Sequence, residues 1–316
     1  RQTLYYRAFE PDGQSAEGIG YFNYGFSFTE LGNECDLNMM GTDFGLMDTD
    51  GIKNAGWFPY RTSGTVAGIS LGDDDLHYEP NTSRMWFPRR YQDVGLAKLV
   101  YEDKIESDSY EWRDLLFYDP ELYEQAQSGM VSMPQLDNYI RDLELTSFRS
   151  GWGTKDKFIS IHTAPNNAAH SHLDAGQVDI QANGVTWVMG SLGKESYENP
   201  AVFEDTTPAY MDALTEQTVP GRCHIYKVRA ESKSAVVINA DGVPDIRPDQ
   251  DEDGAAPTLE KIVSKPQGGF AYADLTSVYH RDAESYKRGI RFSNNRSAFT
   301  IQDEIVTAKD TGKVHW

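Results

Sequence analysis

Residues 176–192, GQVDIQANGVTWVMGSL, decide the fold class of this chain. Apolar and polar residues alternate through Val178–Ala182, and a second β-prone run starts at Val185. Period-two alternation marks a strand. Asn183-Gly184 between the two runs marks a tight hairpin, because both residues tolerate the positive φ that such a turn requires. The same texture extends on either side: DLELTSFRSGW (142–152), KDKFISIHTA (155–164), SAVVINADG (234–242), GGFAYADLTSVYH (268–280) and YKRGIRFSNNRSAFTIQDEIV (286–306). Gly, Asn, Asp and Pro separate these runs, and Asn294-Asn295 is a second, weaker turn signal. Many strands with few helices between them predict antiparallel sheets stacked as a sandwich, not a parallel sheet.

Upstream of residue 136 the period changes. EGIGYFNYGFSFTELGNECDLNMM (17–40) spaces Ile19, Phe22, Phe26 and Leu31 by three to five residues, and RYQDVGLAKLVYEDKI (90–105) repeats the habit with Val94, Leu96, Leu99 and Ile105. Both predict helices. EWRDLLFYDPELYEQA (111–126) predicts a third helical piece, broken at Pro120. GTVAGISLG (64–72) predicts a short strand, followed by an acidic turn at Asp73–Asp75. The expected fold class is α+β, with a helical domain over 1–135 and a β domain over 136–316.

A chain of 316 residues is long enough for two ordinary domains, each with its own core. Its net charge of −20 repels nucleic acid and anionic membranes. It also repels an acidic glycan, so any such substrate needs basic residues gathered locally. Arg61, Arg84, Arg89, Arg90 and Arg149 are the candidates; taken singly, each is more simply read as a partner for a surface carboxylate. No apolar run reaches the length of a membrane span. The two cysteines, Cys35 and Cys223, form neither a disulfide framework nor a zinc knuckle, and fit one bridge or two thiols equally. The chain opens on RQTLYYRAF and closes on GKVHW, which reads as a piece of a longer precursor.

Chemistry concentrates in HSHLDAG (170–176). His170, His172 and Asp174 are two apart, so an extended strand would present all three on one face. Two imidazoles and a carboxylate at one point suit proton transfer or metal binding. A separate group, Asp249, Asp251, Asp253, Gly254 and Glu260, fits a calcium-loop spacing, although Pro257 interrupts it and acidic loops are common in a chain with 49 acids. Near the start, PDGQSAEGIGYFNYG (11–25) places Tyr21 and Tyr24 three apart on one helix face, with Glu17 one turn before Tyr21 on the same side.

Together, the Tyr21 segment and HSHLDAG resemble the heparinase II/III-like polysaccharide lyases, which include heparin/heparan sulfate lyases and alginate lyases. FRSGWGTKDKFISIHTA (148–164), GTDFGL (41–46), GISLGDDD (68–75) and LGKESYENP (192–200) extend the resemblance over nearly the whole chain. The resemblance implies part of an (α/α) toroid followed by an antiparallel β-sandwich. It implies β-elimination on a uronic-acid-containing polysaccharide or oligosaccharide, in a periplasmic or secreted setting. It makes Tyr21 the acid, and also the base where geometry requires it, with His170 the second base or a polarising group. Glu17, Tyr24, Arg149 and Tyr197 become substrate-binding candidates. The family's carboxylate neutraliser, an Asn or His from earlier helices, has no match here.

The family's structural zinc is also poorly matched. His172 corresponds to one ligand, but the expected carboxylate falls at Gly190 or Ser191, and the distant histidine falls at about Lys233. Zinc needs three or four N, O or S donors, so the expectation is a site without zinc in which Lys233 supplies the positive charge. Two rival readings stand beside the lyase. One is a non-catalytic glycan-binding or assembly fragment. The other is a small β-barrel metalloenzyme built on the HxHxD triplet, against which the long helical part counts.

Overall fold

The computed structural model describes residues 2–74, 82–108, 110–129, 131, 133–167, 170–190, 226–239, 256–308 and 313–316. Tyr197, Ser191, Cys223 and the Asp249, Asp251 and Asp253 positions lie outside these residues. The chain is helical in its first part and built of antiparallel sheets in its second, an α+β organisation. It divides into two compact units: residues 1–62 with 77–135, and residues 63–76 with 136–316. Among the described residues, no helix is long and apolar enough to cross a membrane.

The first unit holds eight helices among its described residues: α1 (Gln2–Arg7), α2 (Gly18–Met40), α3 (Asp50–Ala55), α4 (Phe58–Thr62), α5 (Trp86–Tyr91), α6 (Val94–Ser107), α7 (Trp112–Phe117) and α8 (Pro120–Gln127). Local chemistry sets their ends. Asp93 caps α6 by accepting from the Leu96 N–H, and Asp119 caps α8 by accepting from the Leu122 N–H, with Pro120 in the first turn where a missing N–H costs nothing. The break at Pro120 is therefore a boundary between two helices. Phe22 and Phe26 of α2 pack with Phe9, Phe58 and Phe87, with ring centroids 4.8–6.4 Å apart. Burying each ring contributes on the order of 2–3 kcal/mol.

The same helix buries a carboxyl. Glu30 is inaccessible to solvent, and the nearest cation is the Arg113 guanidinium, at 3.8 Å. Burial pushes the Glu30 carboxyl up to about 8, against the opposing pull of Arg113.

Among its described residues the second unit contains three antiparallel sheets. β1 (Asp137–Ile140), β2 (Leu145–Arg149), β3 (Lys157–His162), β4 (Val178–Ala182) and β5 (Val185–Val188) form the first, in sequence order. β7 (Thr258–Lys265), β8 (Gly268–Asp274), β9 (Ala283–Ser293) and β10 (Ala298–Thr307) form the second, in the order β10-β9-β8-β7; β6 (Val237–Asn239) pairs with β11 (Lys313–His315). Asn183 and Gly184 take φ of 58° and 78° and close the β4–β5 hairpin, and Asn294 and Asn295 turn β9 into β10 with φ of 51° and 52°. Phe148, Ile159, Ile161, Val178 and Ile180 of the first sheet share a core with Ala271, Ile290 and Phe292 of the second.

Residues 64–72, expected as a strand, are coil and belong with the sheets. Side-chain amides of β4 and its approach do the work of a neighbouring strand. Gln181 Oε1 accepts from the Val66 and Ala67 N–H groups at 2.7 and 3.1 Å, its Nε2 donates to the Ala67 carbonyl, and Gln177 Nε2 donates to the Ser70 carbonyl. With its polar groups answered this way, the segment needs no ladder.

The raised Glu30 value has a sign that can be tested. Its folded value exceeds its unfolded one, so the stability it costs grows as pH rises from the ordinary carboxyl range to about 8. Glu30→Gln keeps the shape and removes the titration. In thermal melts, the variant should lie within about 1 °C of the parent at pH 5 and about 3 °C or more above it at pH 8.5.

Candidate functional site

The HSHLDAG segment is a loop, not the extended strand its alternation predicts. His170 has φ of 59°, which reverses the chain, and β4 begins only at Val178. The residues therefore do not share one strand face. His170 and His172 nevertheless converge, because both reach Asp73.

Asp73 sits near the end of the coil at residues 63–74, with its side chain buried. Its Oδ2 lies 2.9 Å from His170 Nδ1, and its Oδ1 lies 2.7 Å from His172 Nε2. Its backbone N–H donates to the His170 carbonyl at 3.0 Å. The neighbouring Gly72 N–H donates to Asp174 Oδ2 at 2.8 Å. Gly72 has φ of 53°, and a Cβ there would meet the His170 carbonyl oxygen at 2.1 Å, so the position demands glycine.

The remaining groups lie behind this pair. Lys233 Nζ donates to His172 Nδ1 at 3.1 Å. Since the ammonium has no acceptor capacity, the His172 proton resides on Nε2 and is donated to Asp73. Burial, with Lys233 adding to it, lowers the His172 pKa despite the Asp73 hydrogen bond. Asp174 Oδ1 stands 3.3 Å from His162 Nδ1. Burial opposes charge on both, but their mutual attraction outweighs it: the Asp174 carboxyl is held well below the usual range and the His162 imidazole is raised. Burial pushes Asp179 up to about 6, although Gln177 Nε2 and the Gly190 N–H donate to it.

The second unit's framework places these groups. Val178 N–H donates to Ser234 Oγ, and Ser234 Oγ donates back to the Val178 carbonyl, which pins the Lys233 segment beside β4. Arg288 on β9 donates through Nη1 to both the Gly176 and Ser234 carbonyls, at 2.7 and 2.8 Å, while Asp303 holds its other side. Leu173 N–H donates to the Val228 carbonyl.

His170 is the outer member of the group, with 30% of its side chain accessible, whereas His172 has none. Asp174 is a buried partner for His162 and Gly72. In the other unit, Glu17 is the N-cap residue of α2, Tyr21 stands half-buried in its first turn, and Tyr24 is exposed with its ring edge-on to Phe28 at 5.4 Å. Arg149 is 2% exposed, with Nη2 donating to the Ser63 carbonyl and the guanidinium 4.1 Å over the Trp152 ring. Burial lowers it to about 9. Arg84 pairs with Asp103 and Arg90 with Asp43, so these too are engaged inside their unit. Glu260 stands in β7, 3.9 Å from Lys287, where a calcium loop would lead into a helix.

Asp73 and His162 join the group from outside the HSHLDAG motif. Asp73 counted only as one of three acids in a turn; the glycine before it was the signal, since a Gly-Asp step can bring a carboxylate close against another backbone. His162 sits in a regular strand and carries no local mark.

No protein-family model matches the chain, and no curated protein sequence matches it. Solved structures do. A heparan sulfate lyase HepC mutant from Pedobacter heparinus aligns over 97% of this chain and 41% of its own length, at 12% identity and a TM-score of 0.61. A heparinase III aligns over 96% and 40% at 13% identity and a TM-score of 0.60, and another heparinase III over 98% and 42% at 10% identity and a TM-score of 0.53. The chain thus shares a fold with heparan sulfate lyases and spans about two fifths of their length.

Gly72→Ala adds a clash to a strained φ, whereas Gly41, with φ of 71° and nothing within 4 Å, tests strain alone. Urea unfolding should show Gly41→Ala costing about 1–2 kcal/mol and Gly72→Ala about 3 kcal/mol or more.

Proposed function

We propose that this chain forms the working part of a polysaccharide lyase that cleaves a uronic-acid-containing glycan by β-elimination. The observation that carries the reading is the His170–Asp73 pair: a partly accessible imidazole whose Nδ1 is held by a buried carboxylate. With the proton of the neutral ring on Nδ1, the basic lone pair is on Nε2. That is the arrangement a general base requires. The fold likeness to heparan sulfate lyases supports the substrate class.

In this reading His170 Nε2 takes the C5 proton of the uronate. The C5–H electrons form the C4=C5 double bond as the C4–O bond breaks. The lyase resemblance assigns to Tyr21 the proton that the departing glycosidic oxygen needs, and the role of base where the C5 proton faces it. Charge builds on the uronate carboxylate during the step, so a group must neutralise it. Exposed Tyr24 presents a ring on which a sugar can stack, and Glu17 and Tyr197 are further substrate contacts. The helices would belong to an (α/α) toroid and the sheets to a β-sandwich, in a protein working in the periplasm or outside the cell.

The test is the ultraviolet absorbance of an unsaturated uronate during incubation with heparan sulfate, alginate, hyaluronan or chondroitin. A rise on at least one is expected. Tyr21→Phe and His170→Ala should each slow it about 10²- to 10⁴-fold, and Asp73→Asn about tenfold or more. No rise on any of the four overturns the lyase reading in favour of a glycan-binding fragment.

A further inference from the structure

The donor set around His172 does not suit the zinc that the lyase resemblance implies. A metal-bound imidazole donates a ring lone pair to the ion. Here His172 Nδ1 already accepts from the Lys233 ammonium at 3.1 Å, and Nε2 carries the proton given to Asp73 at 2.7 Å. Gly190, one of the two places where a carboxylate ligand is expected, has no side chain; its N–H instead donates to Asp179. Among the described residues, no group of three or more His, Cys, Asp or Glu is arranged to hold a metal ion.

Charge accounting agrees. Asp73, Asp174 and Asp179 are buried together, and buried carboxylates persist only beside compensating charge. Three buried cations stand among them, one being Lys227, whose Nζ donates to the Asp73 backbone carbonyl at 3.5 Å. Lys233 is buried against His172, and His162 is buried against Asp174. The position of Lys233 is not accidental, since Ser234, the next residue, is bonded to Val178 and to Arg288.

We propose that Lys233 is the built-in cation of this site, replacing a divalent metal, and that it positions His170 through His172 and Asp73. The ammonium fixes the His172 tautomer, the His172 Nε2–H fixes one oxygen of Asp73, and the other oxygen of Asp73 holds His170. Lys233 touches no substrate in this arrangement; it is a positioning residue. The link to His170 as base rests on the lyase reading, but the lysine-for-metal exchange does not.

The experiment uses the whole chain and two readouts independent of turnover. After incubation with excess zinc and desalting, elemental analysis should find less than about 0.1 zinc per chain, below the occupancy a built three- or four-ligand site would hold. The thermal midpoint should be unmoved by EDTA or zinc. In protein with ¹⁵N-labelled histidine, the ring of His172 should show a single Nε2–H tautomer, unchanged by EDTA. In Lys233→Met that ring should lose the signature of a hydrogen-bonded Nδ1, and Lys233→Arg should restore it. About one zinc per chain, an EDTA-induced loss of stability, or a His172 ring protonated on Nδ1 would each overturn the proposal. If Lys233→Met does not fold, the zinc and tautomer measurements on the parent still decide it. Absence of lyase activity alters none of these outcomes, so the two readings fail separately.

Discussion

Everything in the second unit that bears on chemistry depends on one buried carboxylate accepting from two imidazoles. Removing Asp73 from water costs several kcal/mol unless each oxygen is answered. His170 answers one and His172 the other. That exchange works only if the coil bearing Asp73 is held rigidly, and the coil has no ladder to hold it. Gln177 and Gln181 supply the missing bonds, which is why the β4 approach carries amides where a purely structural strand would carry apolar groups. The polar side of β4 thus belongs to the site as much as the histidines do.

Period and turn chemistry were readable without the structure. Asn183-Gly184 lies in a hairpin, Asn294-Asn295 in another, and Pro120 marks a helix boundary. These signals are local, and their physics is complete within a few residues. The two failures share an opposite cause. Residues 64–72 alternate like a strand, yet their backbone partners are side chains more than 100 residues away. His170, His172 and Asp174 alternate too, but a positive φ at His170 and a carboxylate from residue 73 settle their geometry. Alternation reports burial on one side; it does not report which partner fills the hydrogen bonds.

Charge, like alternation, does not by itself say where a side chain finds its partners. A −20 chain invites a search for arginines gathered to meet an acidic substrate. Arg149, Arg84 and Arg288 are instead drawn inward, where a planar guanidinium satisfies carbonyls and carboxylates and lies over aromatic rings. Their role is to fix loops. Arg288 shows this most directly, since a single Nη1 ties the end of the His segment to the residue after Lys233.

The HSHLDAG motif therefore contains three different physical roles within five residues. His170 keeps partial access to solvent and is the one member able to meet a substrate. His172 is wholly enclosed and passes one hydrogen bond inward from Lys233 and another onward to Asp73. Asp174 neutralises His162 and clamps Gly72, the residue that lets the coil approach His170. A metal coordinating His172 would take over the lone pair that the lysine now holds, and would add charge to a cluster in which Lys233, Lys227 and His162 already face three carboxylates. At 10–13% identity to heparan sulfate lyases the fold persists, and in the proposed exchange a side chain stands where the lyase resemblance implies an ion. The substitution needs only that the replacement carry positive charge to the same imidazole nitrogen, and a buried lysine anchored at its neighbour does so without a free-ion binding equilibrium.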